Sequence, residues 1–240
     1  MGRTEPRVLL LQVRDEPRAE EQERLCFLEA AELRPERLTC QNLVLEPRLA
    51  WARVRDFDAV MVGGAGAHTV TADYPFSQPL RETLLRLVDE QRPLFASCYG
   101  HHALVEAMGG VVVTDHATGE VGTFAVELTG TGRDDPLFAG LPPRFAVQLG
   151  HHDRVDRLPE GLVELAASDR CPCQALRAPG RPIYSTQFHS EMTMEHMEAR
   201  LMWYRASYLP GETMPGELSR MLAPSDEAAV LIRRFFELYV

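Results

Sequence analysis

The sequence predicts an α/β fold with a mixed, mainly parallel central sheet, helices on both faces and a small antiparallel addition. In the first 110 residues, short continuous apolar runs alternate with amphipathic helical segments, which is typical of a parallel sheet buried on both faces. Between residues 111 and 178 the runs become short and alternating, and turn clusters divide them, which indicates antiparallel strands. There is no internal repeat or linker, so we expect residues 1–240 to form a single domain.

The parallel region is identified from its apolar runs and its helical stripes. The runs that predict buried strands are residues 8–13, 43–45, 58–62 and 94–98, with the weakest signal at 43–45. Apolar residues at helical spacing predict two helices: Leu25, Leu28 and Leu33 in the first, which ends near Pro35, and Leu80, Leu84, Leu87 and Val88 in the second. A further helical segment at residues 103–108 is closed by Gly109 and Gly110.

The second half of the chain contains shorter elements. The predicted antiparallel strands include residues 123–128, 145–149 and 162–166, and an apolar run at residues 183–189 predicts another strand. Helices are predicted at residues 192–208 and 227–239, with residues 210–224 as a loop between them.

Composition excludes several classes of function. The net charge is −10, from 35 acidic and 25 basic residues, and every base is arginine. A chain without lysine has no phosphate-loop lysine, no protein-kinase strand lysine and no Schiff-base chemistry. The acidic balance argues against binding to nucleic acid or to anionic membranes. Five cysteines, no secretory signal and no apolar stretch of about 20 residues predict a cytoplasmic protein that does not span a membrane.

Cys98 is the candidate nucleophile. It lies where a buried strand ends and a helix begins, and the small residues Ala96 and Gly100 allow the chain to turn sharply around it. This is the pattern of a nucleophile elbow. The following helix N-terminus supplies positive potential for a thiolate, and the Tyr99 N–H is placed to bind a developing oxyanion. A buried structural cysteine is the alternative interpretation.

A possible base and its partner follow the run at residues 183–189. His189 and Glu191 are two positions apart, so in extended chain they point the same way, and the imidazole could take the thiol proton while the carboxylate orients it. A solvated pair of polar residues is the alternative. Residues 63–66 form a glycine-rich turn after a strand, and Gly64 could supply a second oxyanion donor, although such a segment is usually only a turn.

Three ordered features together resemble the class I (triad) glutamine amidotransferases, and more narrowly the stand-alone proteins similar to the amidotransferase domain of GMP synthase. They are Gly63-Gly64 after a strand, Cys98-Tyr99-Gly100-His101 at an elbow, and Gln187-Phe188-His189-Ser190-Glu191. The resemblance covers about residues 43–200, and it implies a flavodoxin-like three-layer α/β/α fold. It also implies a role for each candidate residue: Cys98 as nucleophile, His189 as base, Glu191 as orienting carboxylate, Gly64 and Tyr99 as the oxyanion hole, and Gly63, His102 and His151 near the substrate.

The sequence departs from the family pattern in four places. The family usually has Gly at position 96, Gln at 102, Pro at 190 and Pro after Gly64, whereas this chain has Ala96, His102, Ser190 and Ala65. The change at position 102 is the most serious, because the family's Gln helps to hold the substrate and an imidazole donates with different geometry. A complete triad with altered binding residues indicates a changed acyl substrate or weaker use of glutamine.

No metal or cofactor is expected. The pairs His101-His102 and His151-His152, and the sequence Cys171-Pro172-Cys173, match no recognised zinc spacing. The resemblance therefore predicts a Cys–His–Glu amidohydrolase of glutamine or γ-glutamyl amides that forms a glutamyl thioester and releases glutamate and ammonia or an amine. We expect no synthetase domain within 240 residues, so ammonia would pass to a separate synthetase. A γ-glutamyl peptide hydrolase, or a degenerate family member that acts as a binding or regulatory module, remains as an alternative.

Overall fold

The computed structural model describes residues 5–208 and 218–240. Its strands are β1 (Val8–Gln12), β2 (Leu38–Asn42), β3 (Ala59–Val62), β4 (Leu94–Ser97), β5 (Val111–Thr114), β6 (Glu120–Leu128), β7 (Arg144–His151), β8 (Asp153–Arg157), β9 (Val163–Ser168), β10 (Ala175–Arg177) and β11 (Ile183–Thr186). Its helices are α1 (Pro17–Ala30), α2 (Trp51–Val54), α3 (Ser77–Asp89), α4 (Tyr99–Ala107), α5 (Gly130–Arg133), α6 (Met194–Trp203), α7 (Arg205–Tyr208) and α8 (Val230–Tyr239).

The strands form a nine-stranded mixed sheet and a separate two-stranded one. The order in the large sheet is β2-β1-β3-β4-β11-β10-β9-β6-β7, and β5 pairs with β8 in the small sheet. Strands β2, β1, β3, β4 and β11 are parallel, whereas the ladders from β11 through β10, β9 and β6 to β7 are antiparallel. The predicted fold class is confirmed, and most of the antiparallel addition extends the main sheet.

Two apolar clusters cover the two faces of this sheet. Alternate residues of β1 belong to different clusters, since Leu9 and Leu11 lie in one while Val8 and Leu10 lie in the other. Helices α3 and α4 contribute to the first cluster, and α1 and α8 contribute to the second. A strand with both faces buried needs a continuous apolar sequence, which explains the apolar runs. The result is the expected three-layer α/β/α arrangement.

The first helix differs from the prediction. It begins at Pro17, well before the predicted stripe, and Leu25, the first residue of that stripe, is 42% exposed. The buried face instead includes Glu23, beside Cys26 and Phe27. The helix itself is confirmed and Leu28 of the predicted stripe is buried, but the predicted packing face was wrong because a buried charged residue interrupts the apolar spacing there.

The second strand also differs. The predicted strand at residues 43–45 is wrong, because β2 ends at Asn42 and the chain then turns. The Asn42 carbonyl accepts hydrogen bonds from the N–H groups of Leu45, at 3.1 Å, and Glu46, at 2.8 Å. The polar residues of β2 gave no strand pattern in the sequence, although the strand pairs with β1 along its whole length.

Smaller differences concern the ends of elements. The strand predicted at residues 183–189 ends at Thr186, the helix predicted at 192–208 is interrupted at Tyr204, and the last helix begins at Val230. Most of the loop predicted at residues 210–224 lies outside the described residues. Within residues 5–208 and 218–240, no helix has the length and apolarity that crossing a membrane would require.

One edge of the sheet collects the polar residues of interest. Because β1, β3, β4 and β11 are parallel, their carboxyl ends meet at the same edge. Arg14 follows β1, residues 63–66 follow β3, Cys98 follows β4, and His189 lies beyond β11. Ligands of open α/β sheets bind at this edge, so the fold places the candidate functional site here.

Candidate active site

Cys98 occupies a strained turn between β4 and α4. Its backbone has φ of 51° and ψ of −101°, a conformation that a residue with a side chain rarely adopts. The Cys98 N–H donates to the Thr186 carbonyl at 2.8 Å, which anchors the turn to β11. At Gly100, a Cβ would lie 2.7 Å from the Val62 carbonyl oxygen. Only glycine therefore fits there, and the tight turn presents the thiol at the sheet edge.

His189 and Glu191 are in direct contact. The His189 Nδ1 lies 2.6 Å from Glu191 Oε1, and both side chains are almost completely buried. The Ser97 hydroxyl donates to the other carboxylate oxygen, Oε2, at 2.9 Å. The His189 N–H donates to the Gln148 carbonyl of β7 at 2.9 Å, which fixes the backbone of the histidine. The carboxylate is thus held from two sides, and it orients the ring.

The electrostatics of this pair favour a charged imidazole. Burial lowers the pKa of His189, but the Glu191 carboxylate and the hydrogen-bonded Cys98 thiol raise it by more, to about 9. Burial raises the pKa of Glu191, but His189 lowers it by more, so its net shift is downward. At neutral pH the arrangement is an imidazolium beside a carboxylate.

A cavity of about 160 Å³ opens in front of Cys98. Tyr99, His102 and His151, all predicted near the substrate or the oxyanion, line it together with the thiol. Its size suits a molecule of amino-acid dimensions, since drug-sized ligands occupy cavities of about 300 Å³ or more.

The two glycines predicted at the site are engaged with the protein itself. The Gly64 N–H donates to Glu23 Oε1 at 3.0 Å, so this predicted oxyanion donor has an internal acceptor. The Gly63 N–H donates to the Leu11 carbonyl at 3.0 Å, and the Gly63 carbonyl accepts from Gly100 at 3.1 Å. Gly63 does not line the cavity, and a Cβ on it would overlap the Glu23 carboxylate. The structure therefore uses Gly63 for close packing.

The Tyr99 amide lies where the sequence predicts it, at the start of the helix that follows Cys98. Tyr99 is the first residue of α4, and the N–H groups of a first helical turn have no acceptor within the helix. Its ring packs edge-to-face on Phe76, with ring centroids 6.4 Å apart, which holds the start of the helix in place. The amide at this position is suited to bind an oxyanion formed at Cys98.

His102 reaches the cavity as a neutral ring. Burial, with a smaller contribution from His151, lowers the pKa of His102 to about 3. The His102 Nε2 is buried and has no hydrogen-bond partner among the described residues. A neutral imidazole with a free ring nitrogen can accept or donate one hydrogen bond to a substrate, fewer than a glutamine amide offers.

The ring of His151 is held by a buried network. Its Nδ1 lies 2.7 Å from the Asp153 carbonyl oxygen and its Nε2 lies 3.1 Å from Glu120 Oε2. Gln174 donates to the same carboxylate oxygen at 2.7 Å. Cys171 lies nearby, so His151, Glu120 and Cys171 place one candidate ligand atom each within 4.8 Å of one another. The sequence spacing did not indicate this group, and the absence of a metal remains a prediction.

The sequence pattern does not predict the buried group of charges that lies beside the cavity. Arg14 forms an ion pair with Glu23 at 2.5 Å, and Arg200 lies 4.0 Å from the same carboxylate oxygen. Arg14 and Arg200 line a narrow extension of the cavity together with Cys98 and His189. The sequence offered a signal only for Arg14, because this residue follows a buried strand at the sheet edge where ligands bind. Glu23 and Arg200 lie on helices, where a charged residue is usually solvated, so their burial has no sign in the sequence.

The α/β fold brings a thiol, an imidazole and a carboxylate together at the carboxyl edge of its sheet. A family model for class I glutamine amidotransferases matches residues 38–204, and the chain belongs to this family. The resemblance predicted from the sequence is confirmed. A cysteine nucleophile is consistent with the family.

Similar proteins include GMP synthases. The glutamine-hydrolyzing GMP synthase of Thermosipho melanesiensis is 34% identical over 144 residues, which are 60% of this chain and 26% of that protein. One subunit of the glutamine-hydrolyzing GMP synthase of Archaeoglobus fulgidus is 31% identical over 140 residues, which are 58% of this chain and 69% of that subunit. The match thus spans about a quarter of the Thermosipho synthase.

Solved structures share the fold over nearly the whole chain. A glutamine amidotransferase from Thermotoga maritima has a TM-score of 0.74 at 18% identity and covers 97% of both chains. A glutamine amidotransferase from Methylobacillus flagellatus has a TM-score of 0.73 at 18% identity and covers 98% of this chain and 95% of that one. At such identities these structures establish the fold alone.

Proposed function

We propose that this protein hydrolyses the side-chain amide of glutamine or of a related γ-glutamyl compound through a thioester on Cys98. The observation that carries the proposal is the contact of 2.6 Å between His189 and Glu191, with His189 and Cys98 lining the same narrow pocket beside the cavity. This arrangement supplies a nucleophile, a proton carrier and an orienting carboxylate.

The chemistry proceeds in two halves. The Cys98 thiolate attacks the amide carbonyl carbon, a C–S bond forms, and the resulting oxyanion is bound by the Tyr99 N–H. The C–N bond breaks as His189 donates its proton to the leaving nitrogen, which departs as ammonia or an amine. The neutral His189 then takes a proton from water as the water oxygen attacks the thioester carbon. The C–S bond breaks, the acid leaves, and the Cys98 thiolate and the His189 imidazolium are restored.

The Gly64 amide can act as a second oxyanion donor only after its present hydrogen bond breaks. The Gly64 N–H donates to Glu23 Oε1 at 3.0 Å, so in our proposal it binds the oxyanion only after this bond breaks. The Tyr99 N–H needs no such change. We assign the oxyanion first to Tyr99 and second to Gly64, with His102 and His151 at the cavity wall as substrate contacts.

The destination of the nitrogen is proposed by analogy with the relatives. The relative from Archaeoglobus fulgidus is named as one subunit of a synthase, and we propose that here too a separate synthetase accepts the ammonia. Hydrolysis of γ-glutamyl amides without ammonia transfer is a second candidate, because His102 stands where the family pattern has Gln. We further propose that residues 1–240 form one domain and act in the cytoplasm.

The test is a product assay. The purified protein is incubated with glutamine and several γ-glutamyl peptides, and glutamate release is measured. We expect turnover of at least one substrate and its loss in Cys98→Ser. Cys40→Ser is the matched control, since Cys40 lies on β2 away from the cavity, and it should retain activity. If no substrate yields glutamate and a glutamine-like electrophile does not label Cys98, the protein is a non-catalytic binding module.

A further inference from the structure

Three chemically different side chains that take no part in the triad meet beside the main cavity. Glu120 begins β6 and His151 ends β7, and these two residues are direct partners in the antiparallel ladder. Cys171 lies between β9 and β10, where its N–H donates to the Ser168 hydroxyl at 2.9 Å. A carboxylate oxygen, an imidazole nitrogen and the thiol sulfur of this group lie within 4.8 Å of one another. The expectation of no metal rested on spacing along the chain, whereas the fold assembles this group from three separate segments.

The surroundings of His151 require a positive charge between its ring and Glu120. Its Nδ1 lies 2.7 Å from the Asp153 carbonyl oxygen, which only accepts hydrogen bonds, so Nδ1 carries a hydrogen. Its Nε2 lies 3.1 Å from Glu120 Oε2. In a neutral ring this second nitrogen would turn a lone pair toward a carboxylate oxygen. The two atoms must therefore share either a proton or a metal ion.

A shared proton leaves other atoms of the group unsatisfied. Glu120 is completely buried, and its Oε1 has no hydrogen-bond partner among residues 5–208 and 218–240. The same is true, within the described residues, of Oε1 of the buried Gln174, whose Nε2 donates to Glu120 Oε2 at 2.7 Å. Buried acceptor oxygens without donors are costly. A cation bound beside them removes this cost, and a proton between His151 and Glu120 does not.

The thiol of Cys171 distinguishes a metal site from a polar network. Burial raises the pKa of Cys171, so without a metal ion it is a thiol, which donates to the Thr118 carbonyl at 3.3 Å. A coordinated divalent metal deprotonates a thiol outright, and the proton passes to solvent. The thiolate and the Glu120 carboxylate then balance the two charges of the ion, and His151 binds it as a neutral ring. The occupied site carries no net charge, which suits its burial.

The donor set selects zinc among the common divalent ions. Zn²⁺ takes thiolate and imidazole ligands, whereas Mg²⁺ and Ca²⁺ take oxygen ligands. Tetrahedral zinc with bonds of about 2.0–2.3 Å has ligand atoms about 3.3–3.8 Å apart. The atoms of this group are at most 4.8 Å apart, so small side-chain shifts bring them to that spacing. Gln174 is hydrogen-bonded to Glu120 and supplies a carbonyl oxygen as a fourth ligand once its amide turns over.

We propose that Glu120, His151 and Cys171 bind one zinc ion, with Gln174 or a water molecule as the fourth ligand. The ion connects the paired strands β6 and β7 to the segment before β10, so its role is structural. It also fixes the ring of His151, which lines the main cavity. The site does not depend on hydrolysis of an amide, so it can be tested separately from the proposed function.

Cobalt substitution tests the sulfur ligand. The tag-free Cys98→Ser protein is the background, because Cys98 and His189 together can also bind a metal ion. Titration with Co²⁺ should saturate at one ion per chain, with a thiolate-to-cobalt charge-transfer absorption that Zn²⁺ then abolishes. Adding Cys171→Ser should remove this absorption, whereas adding Cys173→Ser, the matched control outside the group, should leave it. Equal absorption after Cys171→Ser, or none in the background protein, overturns the proposal.

The carboxylate ligand is tested through the affinity for zinc, measured in the same background by competition with a chromophoric chelator. Glu120→Gln keeps the size of the side chain and removes its charge. It should weaken Zn²⁺ binding by at least about a hundredfold, since loss of a residue that merely supports a ligand already costs about 10- to 100-fold. Glu160→Gln, at an exposed position between β8 and β9, is the matched control. An affinity that Glu120→Gln leaves unchanged contradicts the proposal.

X-ray absorption of the zinc-loaded Cys98→Ser protein needs no variant of the ligands. It should show one sulfur at about 2.3 Å and nitrogen or oxygen neighbours at about 2.0–2.1 Å. Nitrogen and oxygen neighbours without sulfur would mean an adventitious ion only, and the proposal would fail. Zinc should also raise the melting temperature of the Cys98→Ser protein but not that of its Cys171→Ser derivative. Equal shifts in both proteins count against the site.

Discussion

Replacing Glu191 with Gln should lower the pKa of His189. The variant keeps the shape of the side chain but removes the charge that lies 2.6 Å from Nδ1. Burial lowers the pKa of His189, and Cys98 alone would then oppose it, so we expect the pKa to fall well below about 9. The fraction of charged imidazole near neutral pH then falls, and Cys98 loses part of the positive charge beside it.

The size of the change in stability follows from the linkage between protonation of His189 and folding. The folded-state pKa of His189 lies above its value in the unfolded chain, so its contribution to stability is complete below pH 6.5 and is lost as the pH rises through about 9. At about 1.4 kcal/mol for each unit of pKa, this contribution is about 3 kcal/mol. Activity should fall by about four orders of magnitude, as when an orienting carboxylate is neutralised in other triads.

The assay is denaturant unfolding of the wild type and of Glu191→Gln at pH 6 and at pH 10. The other cysteines and tyrosines titrate in both proteins, so their effects cancel in the difference. The stability advantage of the wild type should shrink by up to about 3 kcal/mol between the two pH values, because Cys98 also raises the pKa of His189 and is present in both proteins. A constant difference, or an NMR titration that places the wild-type pKa of His189 at 6.5 or lower, would refute the reasoning.

Three further changes have defined outcomes. Glu23→Ala leaves Arg14 buried without its counter-ion, so we expect the free energy of unfolding in urea to fall by about 3–5 kcal/mol; a loss below 1 kcal/mol would contradict the pairing. Gly100→Ala places a Cβ 2.7 Å from the Val62 carbonyl oxygen, which should cost about 1–3 kcal/mol and lower the melting temperature; an unchanged Tm argues against the tight elbow. His102→Gln should raise kcat/KM for glutamine, and an equal or lower value shows that His102 does not limit its use.

The sequence predicted those parts of the site that depend on residues close together in the chain. Cys98 follows a buried strand between small residues, and His189 and Glu191 are two positions apart, so short patterns were enough to suggest their proximity. The fold class was predictable for a similar reason, since strands buried on both faces are continuously apolar. The strand at residues 38–42 could not be predicted in this way. Its sequence is partly polar, and its pairing with β1 determines its structure.

The charged group around Glu23 could not be predicted from local pattern. Glu23 lies on α1 and Arg200 on α6, and a charged residue on a helix is usually solvated. Only the packing of these helices against the edge of the sheet shows that both are buried beside Arg14. The same packing places a carboxylate on the Gly64 amide, which no spacing of residues could reveal.

The central claim is that Cys98 forms a covalent acyl intermediate. The most direct measurement is rapid acid quenching of the protein during reaction with glutamine or a γ-glutamyl peptide, followed by mass spectrometry of the peptide that contains Cys98. We predict an added glutamyl group on Cys98 that hydroxylamine removes and that is absent in Cys98→Ser. Glutamate release without any adduct on Cys98, or with undiminished rate in Cys98→Ser, would contradict the account.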